Sequence, residues 1–296
     1  MSDYNPDEAE IEASRAPLME HLIELRRRLI LSAVSVAIGC IVGWIASKQI
    51  LALLVHPLDV AQAVIDLHKK KGEATGPFEL LIAMTNPGSL HIESHAKLIS
   101  NAVLEVIFTR MKVAIFTGIV LAFPVLAWQL YQFVAPGLYR RERMAFLPFL
   151  IAAPILFVMG AAMVYFVMLP FVLGFSLSQQ QLTANVTVEL LPRIGEYLDL
   201  VTKLLLGFGL CFQLPVVLTL AGQAGLVSAQ ALSSGRRYAI VGIVIVAAIV
   251  TPPDMISPFL LAVPIYLLYE ASIWCVRLIE LRRKREDAAA GVAVDL

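Results

Sequence analysis

Charged side chains are scarce in this sequence. Asp, Glu, Lys and Arg make up 16% of the 296 residues, whereas hydrophobic residues make up 59%. An average soluble domain has roughly 25% charged residues and about half apolar ones. The composition therefore excludes an ordinary soluble domain and indicates a protein that crosses a membrane several times.

The side chains that usually carry catalysis or bind metals are also few. The three cysteines, Cys40, Cys211 and Cys275, all lie in apolar stretches, where a thiol behaves as a small hydrophobic group. None of the five histidines lies deep in such a stretch, and the sequence has no Gly-x-Ser-x-Gly motif. We therefore predict no metal site, no cofactor and no enzymatic activity.

The sequence also lacks a glycine-rich phosphate-binding loop, and no polar segment is long enough for a nucleotide-binding domain. Any work that the protein helps to perform must then draw on the membrane potential or a proton gradient. The apolar stretches contain no series of Asp or Glu suited to an ion channel. These absences favour a membrane receptor or scaffold.

Six apolar stretches are candidates for membrane-spanning helices, each of which needs roughly 20 residues to cross the hydrocarbon core. They predict an all-α polytopic domain over residues 29–276 whose last two helices are short. Prolines at membrane depth favour kinks, and hence a curved, concave bundle. Gly39 and Gly43 fit the small-residue motif for close helix packing. The predicted spans are about 29–48, 113–134, 145–170, 201–222, 238–252 and 258–276.

Basic residues indicate which side of these spans is cytoplasmic. Arginines cluster before the first span, in the second and fourth connections and after the last span, whereas the short connections on the other side contain few. Both termini are therefore predicted to be cytoplasmic. Residues 1–28 would form a segment with an amphipathic helix at the membrane surface, and 277–296 a disordered tail. Residues 51–110 would form a long outer loop with short helices.

Two carboxylates on the predicted cytoplasmic side stand among arginines. Glu24 lies in the basic segment 21–28, and Glu142 lies in the basic loop 133–143. Two carboxylates on one membrane face could receive two cations from a partner. The alternative is charge balance, in which Glu24 pairs with Arg28 one helical turn later and Glu142 offsets the arginines of its loop.

Three other polar residues lie in or between the predicted spans. Gln213, in the middle of the fourth span, could line a polar pocket for a partner helix, form a bond between helices or satisfy backbone freed by Pro215. Asp254 follows two prolines in an outer turn and is expected to act as a turn or N-cap residue. Glu270, near the cytoplasmic end of the last span, is expected to pair with a basic residue there or to snorkel.

Segments 21–26, 133–143 and 250–254 resemble those of the TatC family, the multi-span subunits of twin-arginine protein translocases. The resemblance covers roughly residues 17–277. It implies a receptor in the bacterial cytoplasmic (inner) membrane that recognises the twin-arginine signal peptides of folded proteins. Such a receptor works with the single-span subunits TatA and TatB, with other TatC copies and with membrane lipids, and is driven by the protonmotive force. It has no nucleic-acid partner.

The resemblance also implies roles for individual residues. Glu24 and Glu142 would receive the two signal arginines, and Arg26 would orient Glu24 or contact a lipid phosphate. Gln213 stands where the family more often has Glu; glutamine can bond to a partner helix but cannot carry a proton. The residues that would shape the signal site are Phe133, Pro136 and Tyr139.

Two other function classes compete with this interpretation. A secondary transporter would show repeated halves and charged or broken helices at the midplane, and no convincing repeat is present. A purely structural scaffold would have no ligand of its own, so binding of a twin-arginine peptide separates it from a receptor. An enzyme ranks last for want of a nucleophile and base.

Overall fold

The computed structural model describes residues 6–71, 82, 104–134, 147–181, 193–251 and 257–294. Its regular elements are helices, which confirms the predicted all-α class for this part of the chain. One π-helical turn, Val164–Met168, joins α4 to α5. The helices are α1 Pro6–Ile45, α2 Ser47–Lys71, α3 Glu105–Val134, α4 Leu147–Met163, α5 Leu169–Gln181, α6 Ile194–Cys211, α7 Leu214–Gln223, α8 Ala229–Ser234, α9 Arg236–Val250 and α10 Ser257–Val294.

Five helical stretches in the described ranges are long and apolar enough to cross a membrane. They overlap the first four predicted spans and the sixth. The predicted fifth span, 238–252, falls on α9, which has 15 residues. At 1.5 Å per residue a helix of that length reaches about 22 Å, short of a ~30 Å core. The five stretches are Leu22–Ile45, Glu105–Gln132, Leu150–Ser176, Ile194–Gln223 and Pro258–Arg282.

Two segments differ from the sequence-based expectation. The tail from 277, expected to be disordered, continues α10 as far as Val294. Its Ala, Glu, Lys and Arg residues are strong helix formers that extend a helix already begun in the last span. In the long connection 51–110, the first part belongs to α2, a single helix of 25 residues, and residues 72–81 and 83–103 lie outside the described residues. Burial of Leu54, Leu58 and Val64 holds this helix against the core.

Helices α1 and α3 approach each other closely at glycines. A Cβ atom on Gly39 would lie 2.6 Å from the backbone oxygen of Gly118, and one on Gly43 would lie 2.7 Å from the backbone oxygen of Ala114. A Cβ atom on Gly118 would lie 2.7 Å from the backbone nitrogen of Cys40. These distances leave no room for a side chain, so the Gly39–Gly43 pattern is a packing motif in this fold.

Two tyrosine hydroxyl groups bond to carbonyls of α2 beside its internal proline. Pro57 has no N–H group, so the carbonyl of Leu53 lacks its helical donor. The hydroxyl of Tyr165 donates to that carbonyl oxygen at 2.9 Å, and the hydroxyl of Tyr197 donates to the carbonyl of Leu54 at 2.9 Å. The phenols thereby attach α2 to the π-helical turn and to α6.

Replacing Tyr197 with phenylalanine should lower the free energy of unfolding by about 1–2 kcal/mol, because the buried hydrogen bond from its hydroxyl to the carbonyl of Leu54 is lost while the ring remains. Thermal unfolding in mild detergent measures the loss. Tyr238→Phe is the matched control, since the side chain of Tyr238 is 69% exposed. Equal thermal midpoints for the two variants would contradict the role assigned to the Tyr197 hydroxyl.

Candidate functional site

The carboxylate of Glu24 contacts an arginine of its own helix. Nη2 of Arg28 pairs with Oε1 of Glu24, and Nη1 of Arg28 donates to Oε1 of Gln132 in α3 at 2.9 Å. The Arg28 side chain is 16% exposed and that of Glu24 is 36% exposed. The guanidinium thus joins a half-exposed carboxylate on α1 to an amide near the end of α3. This is the intrahelical pair that the sequence analysis left open as an alternative.

Of the other predicted signal-site residues, two lie close to this contact in sequence and the rest lie beyond the described ranges. Arg26 is exposed on α1, near Glu24 in sequence. Phe133 follows Gln132 in the last turn of α3, which ends at Val134. The structure therefore brings Glu24 to the end of the helix that leads into the loop of Glu142. The predicted site residues Pro136, Tyr139 and Glu142, and the turn residue Asp254, lie outside the described residues.

The sequence analysis assigned no role to Gln132. The only local feature that marks it in the sequence is an amide side chain at the end of an apolar span. The contact that reveals it joins residues 104 positions apart. A pattern read within one segment cannot identify such a pair, whereas the spacing of Glu24 and Arg28 is visible as a helical i, i+4 pair.

Gln213 lies at a break between α6 and α7. Its backbone N–H bonds to the carbonyl of Leu210 at 2.9 Å, so the carbonyl of Gly209 loses its regular helical donor. Nε2 of the Gln213 side chain donates to that Gly209 oxygen at 3.4 Å and to the oxygen of Ala153 in α4 at 3.0 Å. The bond between helices is therefore realised. The freed carbonyl that Gln213 satisfies is that of Gly209, and not that of Cys211, which loses its helical donor to Pro215.

A cavity of about 440 Å³ lies between α6–α7, α9 and α10. Its lining is apolar and does not include Gln213, whose amide bonds to α4 instead. This cavity is therefore separate from the polar-lined pocket predicted for Gln213. The lining residues are Leu210, Cys211, Leu214, Leu218, Ala239, Gly242, Ile243, Val246, Ile265 and Tyr269.

Polar contacts with α10 hold the start of the short helix α9. Nε of Arg236 lies 2.7 Å from Oε1 of Glu270, and Nη2 lies 2.9 Å from Oε2. The hydroxyl of Tyr266 donates to Oε1 of the same carboxylate at 2.8 Å. The predicted pairing of Glu270 with a basic residue is confirmed. In addition, Oε1 of Glu280 accepts from the backbone N–H of Ala229 at 2.8 Å, at the start of α8.

Comparison with known proteins identifies the family. The family described as "Sec-independent protein translocase protein (TatC)" matches residues 20–264. A protein of that description from Magnetococcus marinus is 42% identical over 93% of this chain and 89% of its own length. One from Desulforapulum autotrophicum is 33% identical over 96% of this chain and 93% of its own length.

A solved structure supports the same assignment. The crystal structure described as "Twin Arginine Translocase Receptor- TatC" is 30% identical to this chain, with a TM-score of 0.67. The match covers 88% of this chain and 99% of the crystallised one. The family match, the similar full-length relatives and the shared helical fold agree, and this chain belongs to the TatC family of Sec-independent protein translocase proteins.

Proposed function

We propose that this chain is the signal-peptide receptor and core scaffold of a translocase that exports folded proteins across the bacterial cytoplasmic membrane. Its ligands are twin-arginine signal peptides, and the protonmotive force drives export. Glu24 and Glu142 receive the two signal arginines, beside Arg26, Phe133, Pro136 and Tyr139. The observation that carries the proposal is the half-exposed Glu24 carboxylate. It already binds a guanidinium, that of Arg28, beside Gln132 near the end of α3.

Energies indicate that the two carboxylates set specificity more than affinity. Exposed ion pairs contribute about 0–1 kcal/mol each, whereas micromolar binding requires about 8 kcal/mol. Partial burial strengthens the contact with Glu24, and the planar guanidinium can form two parallel hydrogen bonds with a carboxylate where lysine offers a point charge. The remaining affinity comes from the apolar segment of the signal peptide lying against the helices.

The proposed topology has six crossings with both termini in the cytoplasm. In it α9 is the fifth of the six membrane-spanning segments, and the bundle is curved and concave. The apolar composition of α9 and the polar contacts of Arg236 at its start support this arrangement. A helix about 22 Å long would thin the bilayer locally, which suits a complex that moves folded proteins.

The proposed partners are the single-span subunits TatA and TatB, other TatC copies and membrane lipids. The apolar cavity beside α9 supports a docking place for a partner helix, because its lining includes Gly242 and Val246 of α9.

A photoreactive residue at Val246 should crosslink to a single-span subunit in native membranes. The control position is Val158 on α4, which is 62% exposed and outside the cavity. Crosslinks from Val158 alone would contradict the proposed docking site.

Peptide binding tests the receptor role. The purified chain in lipid nanodiscs is titrated with a labelled signal peptide carrying Arg-Arg or, as the matched control, Lys-Lys. The loss of bidentate contacts should weaken Lys-Lys binding by about tenfold or more. Equal dissociation constants for the two peptides would count against a twin-arginine receptor and favour a scaffold without a ligand of its own.

A further inference from the structure

The site proposed for a signal arginine already contains an arginine of this chain. Arg28 pairs with Glu24 through Nη2 and with Gln132 through Nη1, and only 16% of its side chain is exposed. A ligand guanidinium that binds Glu24 must therefore take the place of the Arg28 guanidinium. The two cations have the same charge and the same fork of donors, so they compete for one carboxylate.

We propose that Arg28 acts as an internal competitor for Glu24 and thereby sets the affinity threshold that a signal peptide must exceed. This inference rests on the proposed receptor function. Arg28 contacts the carboxylate and not the peptide, so it acts through the availability of Glu24.

Gln132 makes the exchange feasible. When a signal arginine displaces Nη2 of Arg28 from Glu24, Nη1 retains its acceptor on α3. The half-buried guanidinium is then not left without a partner, which would otherwise be costly. The 36% exposure of Glu24 leaves the incoming guanidinium a route to the carboxylate.

Simple competition makes a quantitative prediction. If Glu24 is available for only a fraction of the time, every ligand of that carboxylate binds more weakly by the same fraction. If this partly exposed i, i+4 pair has the net strength of an ordinary hydrogen bond, Glu24 is available for about one-third to one-tenth of the time. Removing Arg28 should therefore tighten Arg-Arg and Lys-Lys peptides by the same factor. The affinity of a weakly bound Lys-Lys signal would then exceed the threshold needed for export.

The test compares Arg28→Gln with Arg27→Gln in full-length protein in nanodiscs, using Arg-Arg and Lys-Lys signal peptides as probes. Arg27 is exposed on the same helix, so its replacement removes the same charge without touching Glu24. We expect Arg28→Gln to lower both dissociation constants about threefold to tenfold relative to Arg27→Gln. Arg28→Lys keeps the charge but lacks the fork of donors that joins Glu24 to Gln132. Its dissociation constants should lie between those of Arg28→Gln and the wild type.

Several results would overturn the inference. If both Arg28 variants bind the Arg-Arg peptide no more tightly than Arg27→Gln, or more weakly, Arg28 only supports the structure of the site. Because Arg28→Lys preserves charge and length, it reports on the site even if Arg28→Gln does not fold. If the wild-type chain itself fails to prefer Arg-Arg, the proposed receptor function fails and this inference fails with it. If the wild-type chain prefers Arg-Arg but the Arg28 variants bind neither peptide more tightly than Arg27→Gln, the inference alone is rejected.

Discussion

Replacing both Glu24 and Glu142 with alanine should lower export of a folded Arg-Arg reporter to about one hundredth of the wild-type level or less. Hydrogen bonds to charged groups contribute about 1.5–3 kcal/mol each, so losing two costs roughly 3–6 kcal/mol in signal binding. At 1.4 kcal/mol per factor of ten this exceeds a hundredfold. Each single substitution should lower export about tenfold. The measurement is the periplasmic fraction of the reporter in cells that depend on the variant.

The matched control for this prediction is Glu196→Ala. Glu196 is 73% exposed and pairs with Arg193 at the start of α6, far from α1 in the sequence. Removing this carboxylate should leave export near the wild-type level, provided that each variant accumulates to the same amount in the membrane. A double Glu24 and Glu142 variant that exports as well as Glu196→Ala would reduce both carboxylates to charge balance.

The second large effect is expected at the crossing of α1 and α3. Replacing Gly118 with leucine should remove several kcal/mol of stability, because even its Cβ atom would lie 2.7 Å from the backbone nitrogen of Cys40. Backbone cannot move aside as a side-chain end can, so the helices must separate. That separation would also break the contact between Arg28 and Gln132, which joins the same two helices. Monodisperse protein recovered in mild detergent should fall by about tenfold or more.

Gly242→Leu provides the control for crowding at a glycine. A Cβ atom on Gly242 would meet no other atom within 4 Å, so this variant should be recovered in wild-type amounts. Comparable recovery of Gly118→Leu and Gly242→Leu would show that the close approach of α1 and α3 does not support the fold.

Hydropathy and charge were sufficient to predict the helical class and the positions of five apolar spans. These properties depend on the bilayer as solvent, and each is visible within one segment. The pairing of Glu270 with a basic residue was predictable because a carboxylate at the end of a span requires a cation. Its partner, Arg236, begins the neighbouring helix. The helical tail was missed because polarity was given more weight than the helix propensity of its residues.

The contacts that define the site could not be predicted in the same way. Arg28 reaches Gln132 only because the glycines of α1 and α3 bring those helices together. The hydroxyl of Tyr197 meets the carbonyl of Leu54 across 143 positions. Gln213 had three possible roles on sequence grounds, and only the position of α4 shows where its amide bonds. Each depends on tertiary packing that a local pattern does not encode.

Site-specific photocrosslinking from Ile23 and Arg143 tests the central claim most directly. Ile23 adjoins Glu24 and is 63% exposed, and Arg143 adjoins Glu142 in sequence. The probe is a folded precursor with an Arg-Arg signal in native membranes, and a Lys-Lys precursor is the control. We predict crosslinks to the signal at both positions that are lost with Lys-Lys and in Glu24→Ala or Glu142→Ala. Correctly folded protein that crosslinks at neither position, or equally with both precursors, would contradict a twin-arginine receptor built on these carboxylates.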